Sequence, residues 1–224
     1  MKSRMPVLFV GHGSPMNAIE ESEFSAGWKR VALSIPKPES ILCISAHWET
    51  KGTLFTAAEK PETIHDFAGF PRQLYEMSYP APGSPSLAAE ARASLSDNDT
   101  RLDLTRGLDH GAWTVLRWIY PEADIPVVQM SINYTKNFDW HMNAARELSI
   151  LREKNVLILG SGNMVHNLRM VDWRNPAGGF TWAETANAMI KEIIDENKTD
   201  LLCRYETLGM EMKLAIPSTE HFIP

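Results

Sequence analysis

Apolar positions along this chain fall into short unbroken runs, separated by turns and by amphipathic stretches. Val7-Leu8-Phe9-Val10 runs straight into Gly11-His12-Gly13. Ile41-Leu42-Cys43-Ile44 leads through Ser45-Ala46 to His47, and Val156-Leu157-Ile158-Leu159 feeds Gly160-Ser161-Gly162. Such runs, bounded by turn residues, predict strands buried on both faces, as in parallel sheets. Ile125 to Ile132 predicts a further strand and Leu102 to Leu104 a short one. Helical spacing appears over 19–34, where Phe24, Trp28, Val31 and Ala32 recur before Pro36. Ser84 and Pro85 open a second helix with Leu87, Ala91 and Leu95, and a third carries Trp113, Leu116 and Ile119. A fourth, over 139–154, places Ala144, Ala145, Leu148 and Leu151 on one face. Thr181-Trp182-Ala183-Glu184 reads as a capping box heading a helix through Ile190, Ile193 and Ile194.

Strand, helix and strand in alternation predict an α/β fold. We expect a single domain over residues 1–224, with a central, mostly parallel sheet flanked by helices. Ligands of such sheets bind at the carboxyl edge of the strands. If the strands before His12 and His47 are neighbours, both histidines project from that edge. Residues 59–85 show no period and are rich in Pro, Gly and aromatics, which suggests the wall or lid of a pocket.

Composition adds limits. The 224 residues carry a net charge of −6 and no basic block, which argues against nucleic acid and anionic membranes as partners. No apolar run approaches a membrane span, and the N-terminal run is too short for a signal peptide. Cys43 and Cys203 are far apart and read as reduced thiols, which places the protein in the cytoplasm. The Asn-x-Thr triplets at Asn98, Asn133 and Asn197 then carry no sugar. Gly160-Ser161-Gly162 lacks the third glycine and the acidic residue of a dinucleotide fingerprint.

The chemistry lies in the histidines. Five of the seven, His12, His47, His110, His166 and His221, follow small-residue turns at the ends of elements. Gathered at one sheet edge, neutral imidazoles suit Zn²⁺ or Fe²⁺, and their dispersal along the chain suits a catalytic rather than a structural site. His110 is expected near a helix N-terminus, where the dipole favours the neutral ring and Asp109 or another carboxylate favours the cation. His141 is expected on the surface or at a helix cap.

Seven motifs then share one resemblance. They are Gly11-His12-Gly13-Ser14-Pro15-Met16-Asn17, Ser45-Ala46-His47-Trp48, Thr63-Ile64-His65-Asp66-Phe67, Tyr79-Pro80-Ala81-Pro82-Gly83, Asp109-His110-Gly111-Ala112-Trp113, Gly162-Asn163-Met164-Val165-His166-Asn167-Leu168 and Pro217-Ser218-Thr219-Glu220-His221. In order along residues 5–224, they resemble the class III (LigB-type) extradiol ring-cleavage dioxygenases, and within them the 4,5-DOPA dioxygenase branch. The resemblance implies cleavage of a catechol ring beside its two hydroxyls, using O₂ and a non-haem divalent metal, to a ring-opened semialdehyde. It implies His12, His47 and His221 as metal ligands, with Fe(II) for catalysis and Zn(II) as a bound ion. His166 would be a fourth ligand or an acid/base residue, and His110 an acid/base residue over the substrate. Aromatic residues of the 63–82 loop would flank the ring, with His65 a weaker candidate. Family members are expected to run on past position 224, which would leave His221 on a terminus prone to fraying. Two other readings suit a three-histidine site: a zinc hydrolase using metal-bound hydroxide, and a non-catalytic binder of metal or small molecules.

Overall fold

The computed structural model describes residues 4–172 and 178–224. Six strands, β1 (Val7–Gly11), β2 (Ser40–Thr50), β3 (Thr53–Thr56), β4 (Thr100–Asp103), β5 (Val127–Asn133) and β6 (Val156–Gly162), form one sheet. Their order is β1-β6-β2-β5-β3-β4. All neighbours run parallel except β3 and β5, which are antiparallel. The α/β class and the mostly parallel sheet are as expected. Strands β1 and β2 are not neighbours, however, because β6 lies between them.

Alternation along each central strand explains why the runs are apolar throughout. Ile41 and Cys43 of β2, Val127 of β5 and Leu157 and Leu159 of β6 face one side of the sheet. There they pack on Trp28 of α1 (Glu23–Ser34) and on Ala112, Trp113, Val115 and Leu116 of α4 (His110–Ile119). Leu42, Val128, Met130 and Val156 face the other side and meet α3 (Pro85–Ser94) and α5 (Phe138–Leu148). Covering both faces leaves the runs 41–44, 127–128 and 156–159 without a polar position, which is the pattern of a doubly wound sheet. A third cluster joins α6 (Thr181–Asp195) and α7 (Met210–Ala215) through Ala186, Ile190, Met212 and Ala215. The loop expected over 59–85 is irregular apart from one turn, α2 (Arg72–Tyr75).

Four local expectations shift. The first helix starts at Glu23, where Ser22 and Ser25 cap each other, and residues 15–18 form a separate 3-10 turn. The helix expected over 139–154 ends at Leu148 and continues as 3-10 turns to Asn155, whose φ of 57° is left-handed. Thr181 does not cap its helix: it is the first helical residue, Phe180 precedes it, and no side chain caps that end. His141 is buried rather than exposed, with Nδ1 2.9 Å from the Asn137 carbonyl. Strand β3, four residues after a turn at Gly52, gave no period long enough to read.

The last residues lie directly on β6. A Cβ on Gly162 would overlap the His221 carbonyl, and one on Gly160 would come within 2.6 Å of Pro224. The Asn163 amide donates to the His221 carbonyl at 2.8 Å. Phe222 packs edge-on against Phe138 and on Tyr205. His221 is thus buried and anchored, not frayed. Gly162→Ala is expected to push this segment off the strand and to cost about 1–3 kcal/mol. Urea unfolding of the variant beside the wild type measures that loss.

Candidate active site

His12 follows β1, and its backbone N–H continues the ladder by donating to the Gly162 carbonyl at 3.1 Å. Its ring lies over the end of β6. Ser161 Oγ donates to the Gly111 carbonyl at 2.6 Å, so it must accept from His12 Nδ1–H at 3.0 Å. That assigns the proton to Nδ1 and leaves the Nε2 lone pair facing the centre of the site. His47 projects from β2, within the register shift between Ile44 and Glu49. Its Nε2 stands 3.0 Å from His12 Nε2. Strands two apart are separated by about 9–10 Å. The rings meet because the end of β6 between them carries only Gly160, Ser161 and Gly162. Gly111 is needed as well, since a Cβ there would lie 3.0 Å from His47 Cδ2 and overlap Ser45.

His221 completes the group. One ring nitrogen from each of His12, His47 and His221 lies within 4.8 Å of the others. Asn163 sits among them, with Nδ2 3.0 Å from His221 Nδ1 and 3.5 Å from His12 Nε2. Its Oδ1 accepts from Gly13 N–H, where φ is +61°.

A divalent metal fits this donor set. The His12 Nε2 lone pair stands 3.0 Å from His47 Nε2, a separation that either an N–H of His47 or a shared metal bridges. Nitrogens each about 2.0–2.1 Å from one metal sit at about this separation. Burial also keeps the rings in the neutral, ligating form. Desolvation, reinforced by the neighbouring histidines, holds His12 well below its ordinary value. Desolvation, then His110, lowers His47 to about 4. Desolvation, then His166, lowers His221 to about 2.

Two more histidines flank this trio. His110 opens α4, with its ring centroid 3.9 Å from that of His47. Its carboxylate partner is Asp66 rather than Asp109. Asp66 Oδ1 accepts from both the backbone N–H and Nδ1–H of His110, each at 2.9 Å. Burial opposes ionisation of Asp66, but the hydrogen bonds from His110 outweigh it and hold the carboxyl below its ordinary value. Asp109 is fully buried and faces inward, accepting from Ser45 Oγ, Gln129 Nε2 and the Ala112 amide. His166 lies flat on His221, at 3.4 Å between centroids and 19° between planes, and Glu220 is 3.9 Å from its Nδ1. It therefore groups with His221 and Glu220, outside the three-nitrogen convergence.

A cavity of about 740 Å³ opens over these side chains. Its floor is His12, His47, His110, His166 and His221, and its walls include Phe70, Val165, Leu168, Phe180 and Trp182. All five histidines singled out from sequence meet here. His65 does not: its Nε2 lies 3.0 Å from the Met77 carbonyl, and its ring packs near Phe67 and Trp113. Of the 63–82 aromatics, Phe70 reaches the cavity and Phe67 stands edge-on to His110 at 5.5 Å. Asp66 and Asn163 were not singled out, although both lie inside the histidine motifs.

The family model for the catalytic LigB subunit of aromatic ring-opening dioxygenase matches residues 6–224. The chain belongs to this family and is a ring-opening dioxygenase. Among curated relatives, an Escherichia coli K12 protein named 4,5-DOPA dioxygenase extradiol is 46% identical over 190 residues, covering 84% of this chain and 70% of the relative. A Beta vulgaris protein of the same name is 38% identical over 223 residues, covering 96% and 82%. The crystal structure of an uncharacterized Escherichia coli K12 protein superposes with a TM-score of 0.83 at 38% identity, covering 99% of this chain and 86% of that one.

The depressed histidines set a pH dependence. Above their ordinary value near 6.5 they are neutral both folded and unfolded. Below it the unfolded chain takes protons that the folded site refuses, so stability falls with pH. For His47 the loss continues to about 4. In that window each such group costs roughly 1.4 kcal/mol per pH unit. Urea midpoints of the metal-free protein at pH 7.5, 6 and 5 are expected to fall in that order.

Proposed function

We propose that this enzyme is an extradiol dioxygenase that opens a DOPA-like or caffeate-like catechol next to its hydroxyl pair. The observation that carries this reading is the convergence of three neutral imidazoles on the floor of a ring-sized cavity, with a further histidine on either side. His12, His47 and His221 would hold the metal, Fe(II) for catalysis, and the same donors accept Zn(II). When bound, the metal supplies the Lewis acidity that acidifies catechol hydroxyls and the redox path to O₂.

The remaining steps belong to the chain's own side chains. The ring lies in the cavity against Phe70, with its hydroxyls toward the histidine floor. His110, protonated on Nδ1 by its bond to Asp66, presents the Nε2 lone pair and takes a hydroxyl proton. His110 then returns that proton during ring opening, and His166, with Glu220 3.9 Å from its Nδ1, flanks the ring from the side of His221. Phe180 and Trp182, stacked on each other in the cavity wall, add apolar surface beside the ring. Three neutral ligands leave the metal's positive charge undiminished, which favours an anionic catecholate. A location in the cytoplasm is supported by two unpaired cysteines. Among the described residues, no helix is long and apolar enough to cross a membrane.

Anaerobic loading with Fe²⁺, followed by L-DOPA or caffeate in air, is expected to consume O₂ and form a yellow ring-opened product. Absence of O₂ uptake with every catechol, together with ester hydrolysis by the Zn²⁺ form, would move the assignment to a hydrolase. His12→Ala is expected to lose stoichiometric metal and more than about 100-fold in turnover, read by metal analysis and an oxygen electrode.

A further inference from the structure

Asp66 reaches the site from the irregular loop after β3, yet its place is tightly determined. Ile64 N–H donates to the Leu108 carbonyl and Leu108 N–H to the Glu62 carbonyl, each at 2.7 Å. Trp113 Nε1 donates to the Ile64 carbonyl at 2.8 Å. A Cβ on Gly107 would overlap the Glu62 carbonyl, so only glycine lets the two segments approach so closely. The loop is thereby sewn to the start of α4, and Asp66 cannot shift relative to His110 without breaking these bonds.

An ionised carboxylate only accepts hydrogen bonds. Both bonds to Asp66 Oδ1 must therefore be donated by His110, from its backbone N–H and from Nδ1. With the proton held on Nδ1, a neutral imidazole has its lone pair on Nε2. The ring is also fixed in rotation, pressed on His47 at 3.9 Å and edge-on to Phe67.

We propose that Asp66 is a positioning residue that locks His110 as its Nδ1–H tautomer and aims the Nε2 lone pair into the cavity. The proposal rests on the reading above, in which His110 takes a substrate proton. Asp66 also caps the first turn of α4, so a loss of stability alone would not distinguish the two roles. The tautomer does distinguish them.

The test uses zinc-loaded protein labelled with ¹⁵N at histidine, in which two-bond ¹H–¹⁵N correlations identify the protonated nitrogen of His110. Turnover is measured on the iron-loaded forms. The wild type is expected to show Nδ1–H. Asp66→Ala is expected to shift population to Nε2–H and to lower kcat about 10–100-fold, with KM changed less than about twofold. Asp66→Asn keeps an acceptor oxygen without the charge, and is expected to restore the Nδ1–H signal and most of kcat. An Nε2–H His110 in the wild type would overturn the proposal whether or not any variant folds. So would an unchanged tautomer in Asp66→Ala, a defect confined to KM, or Asp66→Asn as slow as Asp66→Ala. If the wild type opens no catechol, the proposed function falls, while the tautomer comparison still decides what Asp66 does.

Discussion

Two imidazole nitrogens facing each other at 3.0 Å across the end of a strand are the constraint around which this site is built. Everything near them makes that approach possible. The strand between them ends in glycine, serine and glycine, so nothing larger than a hydroxyl stands in the way. That hydroxyl, on Ser161, sets the proton on the far side of His12. Gly111 keeps α4 close without touching His47. Small residues here act as space, and their backbone groups supply the bonds that orient the rings.

Burial makes the arrangement chemically useful. Five histidines share one cavity floor, and a solvent-filled version would let them charge and repel one another. Desolvation keeps three of them neutral, in the form that ligates metal. On the α4 side, Asp66 accepts both of its hydrogen bonds from His110, with its second oxygen 4.0 Å from His47 Nδ1, while Asp109 faces inward. The three-histidine group and the His110–Asp66 pair thus adjoin at His47, which belongs to both clusters.

Much of this was legible in the sequence, for identifiable reasons. Buried parallel strands leave unbroken apolar runs, so β1, β2, β5 and β6 stood out, and each histidine at a strand or helix end was flanked by small residues. Strand order was not legible: β6 inserts between β1 and β2, and no local pattern records which strands pair. Strand β3 is too short to show a period, and His141 is buried by α5 packing that its own neighbours do not reveal. Asp66 was hidden because its partner lies 44 residues away in the chain. A lone acid between His65 and Phe67, in an otherwise aromatic loop, was the available signal. Asn163 follows the glycine that ends β6, where an amide reads as ordinary turn chemistry.

The position of His221 on β6 has a further consequence. With His12 and His47 it brings together side chains from opposite ends of the sequence. A metal held by the three would act as a reversible cross-link, closing a chelate ring through nearly the whole domain. Loop-closure entropy grows only slowly with length, so such a ring is not prohibitively costly to form. It forms only after the sheet is complete and the last segment has docked on β6. Metal occupancy would then report on the folded state of the entire chain, and the metal would stabilise that state by mass action.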